Sequence, residues 1–404
     1  MKKNGKTVLF ILSLTFFSCA TQAPVIETVP METGMISAPA AEGPGADYLT
    51  IVAAGDNLYH DVMIRDGEDG NYETAYEEIR PLVEKADIAF INQETLLAGG
   101  DFGFSGYPLF NSPQELGRAI AATGFNVVNH ATNHIMDKGE KAVLATLDFW
   151  DTIPRVTVLG IHRSEEDRSR PALVKKNNIT LGFLAYTYGT NNIPVPKDKP
   201  YLVSLMDTET MEKEIDALRP LCDFLVVSMH WGEEYSQDYS KAQENLAAFL
   251  AEHRVDLVIG HHPHTIQPIE YIPRPDGRFM LCFYSLGNLI SAQSQNAALL
   301  GALAYIRIKK EAPPPGEPTG VIMFMDAGAI PLVTHYEKNY SNFKVYPLYA
   351  YSEELLEKHR KNQGKKELTM EYLEGLAAKE LGDKEILCDP FAAQAVTPEL
   401  HWYR

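Results

Sequence analysis

Apolar runs alternate with amphipathic stretches along this chain, and that alternation predicts an α/β layered fold. Several runs are unbroken rather than alternating, which suits strands covered on both faces. Five of them are followed by a short polar segment, as in sheets whose carboxyl-end loops converge on one crevice. The 404 residues allow one large domain or two ordinary ones, and 45% hydrophobic with 22% charged residues is a globular composition. A formal charge of −18 repels nucleic acid, so phosphate-backbone binding is excluded as a function class.

The first segment is not expected to join the fold. Lys2, Lys3 and Lys6 precede the apolar run from Val8 to Phe17, which is too short to span a bilayer but suits the core of a signal peptide. It ends in Phe16-Phe17-Ser18-Cys19, a pattern that resembles a bacterial lipobox. Residues 1–18 are therefore expected to be a lipoprotein signal peptide. Cys19 would be lipidated, anchoring the protein by its end in the cell envelope, outside the cytoplasm. An ordinary secretory signal with an incidental cysteine is the alternative. Residues 19–46, rich in Ala, Pro, Thr, Glu and Gly, read as a flexible tether. Cys222 and Cys282 lie beside or inside apolar runs and read as buried thiols.

From Tyr48 onward the expected strands are Tyr48–Ala54, Ile88–Asn92, Asn126–Asn129, Val156–Leu159, Ile179–Tyr186, Phe224–Met229, Leu257–Gly260 and Met280–Tyr284. The expected helices are Tyr72–Lys85, Pro113–Ala122, Glu140–Asp151, Thr208–Leu218 and Lys241–Glu252. The last opens on Ser240-x-x-Gln243, a capping-box pattern, and carries Ala242, Leu246, Phe249 and Leu250 on one stripe. Proline-rich residues 311–318 can be neither strand nor helix interior, so they read as a loop between paired strands Ala302–Ile308 and Gly320–Met325. The main domain is expected over residues 47–350. Residues 351–404 form a short helical extension, with Met370–Leu381 as one amphipathic helix.

The five polar segments are Gly55-Asp56-Asn57, Asn92-Gln93-Glu94, Asn129-His130-Ala131-Thr132-Asn133-His134, His230-Trp231-Gly232-Glu233 and His261-His262-Pro263-His264. The last gathers three of the twelve histidines within four residues. Imidazole suits zinc, iron, manganese and similar ions, carboxylates suit hard or borderline ions, and asparagine offers a neutral oxygen. A bound divalent ion polarises a phosphoryl or carbonyl oxygen and makes water a nucleophile near neutral pH. Asp56, Glu94, Asn133 and His134 are read as site residues. His130 is a supporting hydrogen-bond partner or a packed core ring. Asp137, in Asp137-x-x-Glu140, is placed to cap the following helix. Trp231 is a pocket wall or core, and Glu233 and Glu234 are supporting or exposed.

These segments, together with Asp137-x-Gly139, Glu234-Tyr235, Gln267 and Tyr284-Ser285-Leu286-Gly287-Asn288, resemble the bacterial CapA/PgsA capsule-synthesis family, associated with poly-γ-glutamate. The likeness runs from about Tyr48 to Ile290. That family is similar to the calcineurin-like metallophosphatases, which implies a four-layer α/β/β/α sandwich. It also implies that Asp56, Glu94, Asn133, His230, His262 and His264 hold one or two divalent ions (Mn, Fe or Zn), with His134 protonating the leaving group. His130, Asp137, Glu234, His261 and Asn288 would support them. Two departures stand out. Leu58 occupies the place of the histidine in the metallophosphatases' opening Asp-x-His, and Glu94 stands where a bridging aspartate is usual. The resemblance implies an enzyme of capsule or poly-γ-glutamate-type polymer production or export, hydrolysing a phosphoester or an amide. Its expected partners are the membrane, other capsule-synthesis membrane proteins, and an anionic polymer or phosphorylated substrate. Two alternatives are a non-catalytic polymer-binding or assembly subunit on the same fold, and a nucleotidase-like scavenging enzyme.

Overall fold

A computed structural model of the chain describes residues 47–311, 320–364, 367–382 and 385–391. The expected signal peptide, the lipidation at Cys19, the tether and most of the proline-rich loop lie outside the described residues. Among the described residues, fourteen strands form two sheets: β1 (Tyr48–Asn57), β2 (Ile88–Gln93), β3 (Val127–Asn129), β4 (Thr157–Leu159), β5 (Ala172–Lys176), β6 (Ile179–Thr187), β7 (Phe224–His230), β8 (Leu257–His261), β9 (Ile269–Pro273), β10 (Phe279–Phe283), β11 (Asn288–Ile290), β12 (Leu300–Glu311), β13 (Val321–Glu337) and β14 (Ser341–Pro347). The first sheet has the order β14-β13-β12-β1-β2-β3-β4, with β11 also paired to β1, and the second the order β5-β6-β7-β8-β10-β9. The centre of each sheet is parallel, β1 to β4 in the first and β6-β7-β8-β10 in the second.

Side-chain alternation explains the layering. In β7, all seven residues are buried. Phe224 and Val226 join the large core shared with Ile51, Phe90 and Val128 of the first sheet. Leu225, Val227 and Met229 pack instead with Met211 and Ile215 of the helix Thr208–Leu218 and with Ala247 and Leu250 of the helix Lys241–Glu252. β8 and β10 divide the same way, Leu257, Ile259, Leu281 and Phe283 toward the other sheet, Val258, Met280 and Cys282 toward the helices. A strand with both faces covered must be apolar throughout, which is why these runs read as unbroken. On the first sheet the crossovers β2–β3 and β3–β4 carry the helices Gln114–Thr123 and Glu140–Trp150, whose Leu116, Ile120, Phe149 and Trp150 enter the large core. The result is a four-layer α/β/β/α sandwich. Ser240 and Gln243 form the expected reciprocal cap.

Some expectations need correction. Tyr72–Lys85 is not one helix but a 3-10 turn, Tyr72–Tyr76, followed by a short helix, Arg80–Glu84. Pro81 has no N–H to continue the ladder, so the helix restarts around it. β13 runs far past Met325 because it pairs with both β12 and β14. Cys282 is buried, but Cys222 is only partly so. Beyond β14 stand the helices Glu353–Lys358 and Met370–Leu381, whose Leu356, Leu373 and Leu381 pack into the large core.

The stretch from Tyr284 to Asn288 carries the chain from one sheet to the other. It leaves β10 and pairs as β11 with β1, Asn288 opposite Asp56. On the way Leu286 N–H donates to the Gly260 carbonyl (3.1 Å), and the Gly287 carbonyl accepts from Asp56 N–H (2.8 Å). Both approaches need a glycine. A Cβ on Gly260 would lie 2.0 Å from the Tyr284 carbonyl oxygen, and one on Gly55 2.0 Å from that of Gly287. Gly260→Ala is therefore expected to force β8 and β10 apart and destabilise the fold by about 1–3 kcal/mol, read as a lowered urea midpoint. An unchanged midpoint would show that the crossing segment is free to move.

Candidate metal centre

Register places the site residues in two rows. At the carboxyl ends of the first sheet Asp56, Asn92 and Asn129 stand side by side, and in the second sheet Thr187, His230 and His261 do. The rows face each other. Asn133 Oδ1 lies 3.0 Å from His230 Nε2, Asn92 Nδ2 3.4 Å from His230 Nδ1, and Asp56 Oδ2 3.1 Å from His264 Nδ1. Segments more than 90 positions apart thus meet in one buried cluster.

The two carboxylates differ sharply. Asp56 Oδ1 accepts from Asn92 Nδ2 (2.7 Å), and Oδ2 accepts from the His262 backbone N–H (3.2 Å) and faces His264. Burial alone would raise its pKa. The His264 hydrogen bond and the charges of His264 and His261 outweigh that and lower it. Glu94 has no hydrogen-bond partner on either oxygen, though it is fully buried. Its neighbours are His230 Nε2 and His264 Nε2, both at 3.8 Å. Burial pushes its pKa well up, against the attraction of His264.

The imidazoles are set by the same surroundings. Burial and the adjacent imidazoles hold His230 well below its ordinary pKa, and burial takes His262 down to about 3. Both are therefore neutral, the ligand form, at pH 7. Burial pulls His264 down too, but Glu94 and Asp56 overcome it and raise it to about 9. Asn288 Oδ1 stands 3.1 Å from His264 Nδ1 and fixes that ring. His262 and His264 both sit at positive φ (98° and 60°), strain of a kind that collects at functional sites. Donor atoms of Glu94, His262 and His264 all lie within 4.8 Å of one another. A buried carboxylate with no hydrogen-bond donor, grouped with the lowered imidazoles of His230 and His262 as well as with His264, fits a divalent cation, which would supply the missing partner.

His134 stands at the edge of the cluster. Its Nδ1 is 2.8 Å from Asp137 Oδ2, which also accepts from Phe110 N–H (2.7 Å), and the Phe110 ring meets it edge-on at 4.6 Å. The expected capping role of Asp137 is therefore wrong. The helix is led by Gly139, at φ 74° with no side-chain cap, and the Asp137 carboxylate turns to His134 instead.

Other expected residues fall into place or away from it. His130 is a core ring, accepting from Trp150 Nε1 (2.8 Å). Trp231 is buried, donating to the Tyr284 carbonyl (2.9 Å). His261 stacks on Phe90 (5.6 Å) between the sheets, 3.6 Å from Asp56 Oδ1, with no hydrogen-bond partner on either nitrogen. The His-x-His pair gathered with Glu94 is thus His262 and His264. Glu233 and Glu234 are exposed. Leu58 is buried, and His60 turns its Nδ1 to the Leu58 carbonyl (3.3 Å).

The sequence reading missed three contributors. Asn92 is the hub joining Asp56, Asn129 and His230. Asn191 ties Asn133 (3.3 Å) to His134 (3.4 Å), and Tyr188 packs on His262 at 4.6 Å. Tyr188 to Asn192 is a sixth polar segment after an apolar strand, so the rule that found the other five applies to it as well.

Fold and centre together define a four-layer α/β protein with a buried donor set suited to divalent metal. The family model "Bacterial capsule synthesis protein PGA_cap" matches residues 50–293, more than half of the chain, and the chain belongs to that family. Among its relatives is the PGA biosynthesis protein CapA of Bacillus subtilis (strain 168), 24% identical over 314 residues that cover 76% of this chain and 78% of that protein. The capsule biosynthesis protein CapA of Bacillus anthracis is 27% identical over 204 residues, 49% of this chain, and the match spans about half (48%) of that relative. Solved structures that align with it include the NAD nucleotidase NadN of Haemophilus influenzae, with 10% identity and a TM-score of 0.42 over 82% of this chain and 66% of that one. The 5′-nucleotidase precursor of Thermus thermophilus aligns with 13% identity and a TM-score of 0.40 over 82% and 59%.

Glu94→Gln separates the two roles of this carboxylate. Without metal the variant is expected to be more stable by about 1–3 kcal/mol, since an unpartnered buried ionisable group is removed. With Mn2+ it should lose most of the thermal shift that the ion gives the unaltered protein. A stabilisation by Mn2+ equal to that of the unaltered protein would exclude Glu94 as a ligand.

Proposed function

We propose that this chain is an extracytoplasmic, lipid-anchored, metal-dependent hydrolase that cleaves a phosphoester or an amide during production or export of a capsular or poly-γ-glutamate-type polymer. The observation that carries the reading is the buried Glu94 carboxylate with no internal donor, beside His262 and His264. Family membership supports the polymer context. The signal-like and lipobox-like sequence ahead of residue 20 supports the anchor.

Asp56, Glu94, Asn133, His230, His262 and His264 would hold one or two ions, of Mn, Fe or Zn. Bound there, such an ion supplies Lewis-acid polarisation of the scissile group and positive charge for the transition state. The chain's own residues do the rest. Asn92 and the His262 N–H hold Asp56 in place. Asn288 sets the His264 ring, and Asn133 Oδ1 rests against His230 Nε2, which orients both side chains as prospective ligands. Asp137 accepts the hydrogen bond of His134 Nδ1, which leaves Nε2 to deliver a proton to the departing oxygen or nitrogen. Phe110 walls that ring from solvent on one side.

One observation favours a second reading, a non-catalytic polymer-binding or assembly subunit: buried Leu58 supplies no ligand where metallophosphatases place a histidine. The test uses the full chain, metal analysis, and hydrolysis of p-nitrophenyl phosphate, bis-p-nitrophenyl phosphate and γ-glutamyl-p-nitroanilide. Asn133→Ala and His262→Ala are expected to lose bound metal and turnover together. His134→Ala should keep its metal and lose about 10²- to 10⁴-fold in kcat. If His134→Ala fully restores polymer output in cells lacking this chain, the subunit reading replaces the hydrolase.

A further inference from the structure

The side-chain amide of Asn133 has two unlike ends, and only one of them can be a ligand. A cation takes the carbonyl oxygen, whereas the NH2 group only donates hydrogen bonds. A half-turn of the amide exchanges the two with little change of shape. In the fold Asn133 is buried, and its Oδ1 points at His230 Nε2 (3.0 Å). His230 does not choose between the ends. Its Nε2 donates in one tautomer and accepts in the other, so it can meet either Oδ1 or Nδ2. The choice falls to the group on the outer side of Asn133.

That group is Asn191, whose Oδ1 accepts from Asn133 Nδ2 (3.3 Å). Two neighbours fix the direction of the Asn191 amide itself. The Tyr188 hydroxyl donates to the same oxygen (3.4 Å), and Asn191 Nδ2 stands 3.4 Å from both ring nitrogens of His134. The Asp137 carboxylate only accepts, so the Nδ1 hydrogen of His134 is committed to it (2.8 Å). The lone pair of the neutral ring is then on Nε2, where Asn191 Nδ2 can donate to it. Every donor along Asn133, Asn191 and His134 thus points toward Asp137, which leaves the Asn133 oxygen facing the centre. The loop is built to hold this arrangement. Tyr188 N–H donates to the His230 carbonyl (3.1 Å), Thr187 Oγ1 to the Gly189 carbonyl (3.1 Å) and Thr190 Oγ1 to the Ile193 carbonyl (2.7 Å). Asn191 and Asn192 both sit at left-handed φ, 47° and 62°, which asparagine tolerates better than most side chains.

We propose that Asn191 is a positioning residue of the metal centre: it holds the Asn133 amide with its oxygen, not its NH2 group, turned toward the ion. The proposal rests on Asn133 as a ligand and adds what decides which of its ends the ion meets. Partners behind a ligand set its orientation, and their loss weakens metal binding although they make no bond to the metal. The Tyr188 hydroxyl holds Asn191 Oδ1 independently of His134, so loss of the His134 ring leaves the amide pair in place.

The test reads the Mn2+ affinity of the full chain by calorimetry and so does not depend on turnover. Glycine fits a left-handed backbone, so Asn191→Gly removes the amide without straining the loop, and Asn192→Gly repeats the same backbone change one residue on. Asn191→Gly is expected to weaken Mn2+ binding about tenfold, and Asn192→Gly to leave it unchanged. Asn191→Asp, which still accepts from Asn133 Nδ2, should bind at least as tightly as the unaltered protein. In an Asn133→Ala background, whatever affinity remains should be the same with and without Asn191, because its effect passes through that amide. Unchanged affinity in Asn191→Gly, with Asn133→Ala weakened, would overturn the positioning role and leave the metal centre standing. An equal loss in Asn192→Gly, or an Asn191→Gly loss that persists in full without Asn133, would overturn it as well. If Asn133→Ala and Asn191→Gly both bind Mn2+ like the unaltered protein, Asn133 is no ligand, and the positioning role falls with that assignment.

Discussion

A carboxylate buried with no donor to either oxygen is costly unless a cation stands beside it, and Glu94 is held in that state from both sides. Its own backbone N–H donates to the Asn57 carbonyl and its carbonyl accepts from Thr132 Oγ1, which pin its backbone in the loop after β2. The rings beside it, His230 and His264, belong to the second sheet. The interior has been shaped around a carboxylate to which it gives no hydrogen-bond donor. The raised His264 and the lowered His262 follow from the same arrangement.

The donor set is lopsided. Around Asp56 almost everything is satisfied: Asn92, the His262 N–H and His264 all reach the carboxylate. Around Glu94 nothing is. Asn133 Oδ1 meets His230 Nε2, and the rings of His230 and His262 lie 4.9 Å apart beside Glu94. That group faces the one of the two carboxylates that has no hydrogen-bond partner. His134, braced by Asp137 and Asn191, stands at its edge.

Much of this was legible in the sequence because burial on both faces leaves a plain mark. The runs Phe224–Met229 and Leu257–Gly260 could be read as central strands since each second residue faces a sheet and each other a helix. The polar segments after them could be read as one crevice for the same topological reason. Local sequence failed where the outcome depends on partners far away. Asp137 has the right spacing for a cap, yet a ring three residues earlier and the Phe110 amide claim it. His261 and His262 are adjacent and alike, and the end of β8 between them decides the outcome: His261, the last strand residue, turns inward to Phe90, and His262, at φ 98°, turns toward Glu94. The edge strands β9 and β14 have partly exposed positions that leave no apolar run, β11 is only three residues long, and Pro81 broke a helix whose periodicity looked continuous.

The Tyr284–Asn288 crossing has a further meaning for assembly. Half of the donors hang on one sheet and half on the other, and this stretch ties the two together within a few residues of the cluster. An early folding state with a single sheet formed contains no pocket for an ion, whichever sheet that is. An ion held there would therefore be captured only once the two halves had met face to face, and any later sliding of one sheet over the other would break up the donor set.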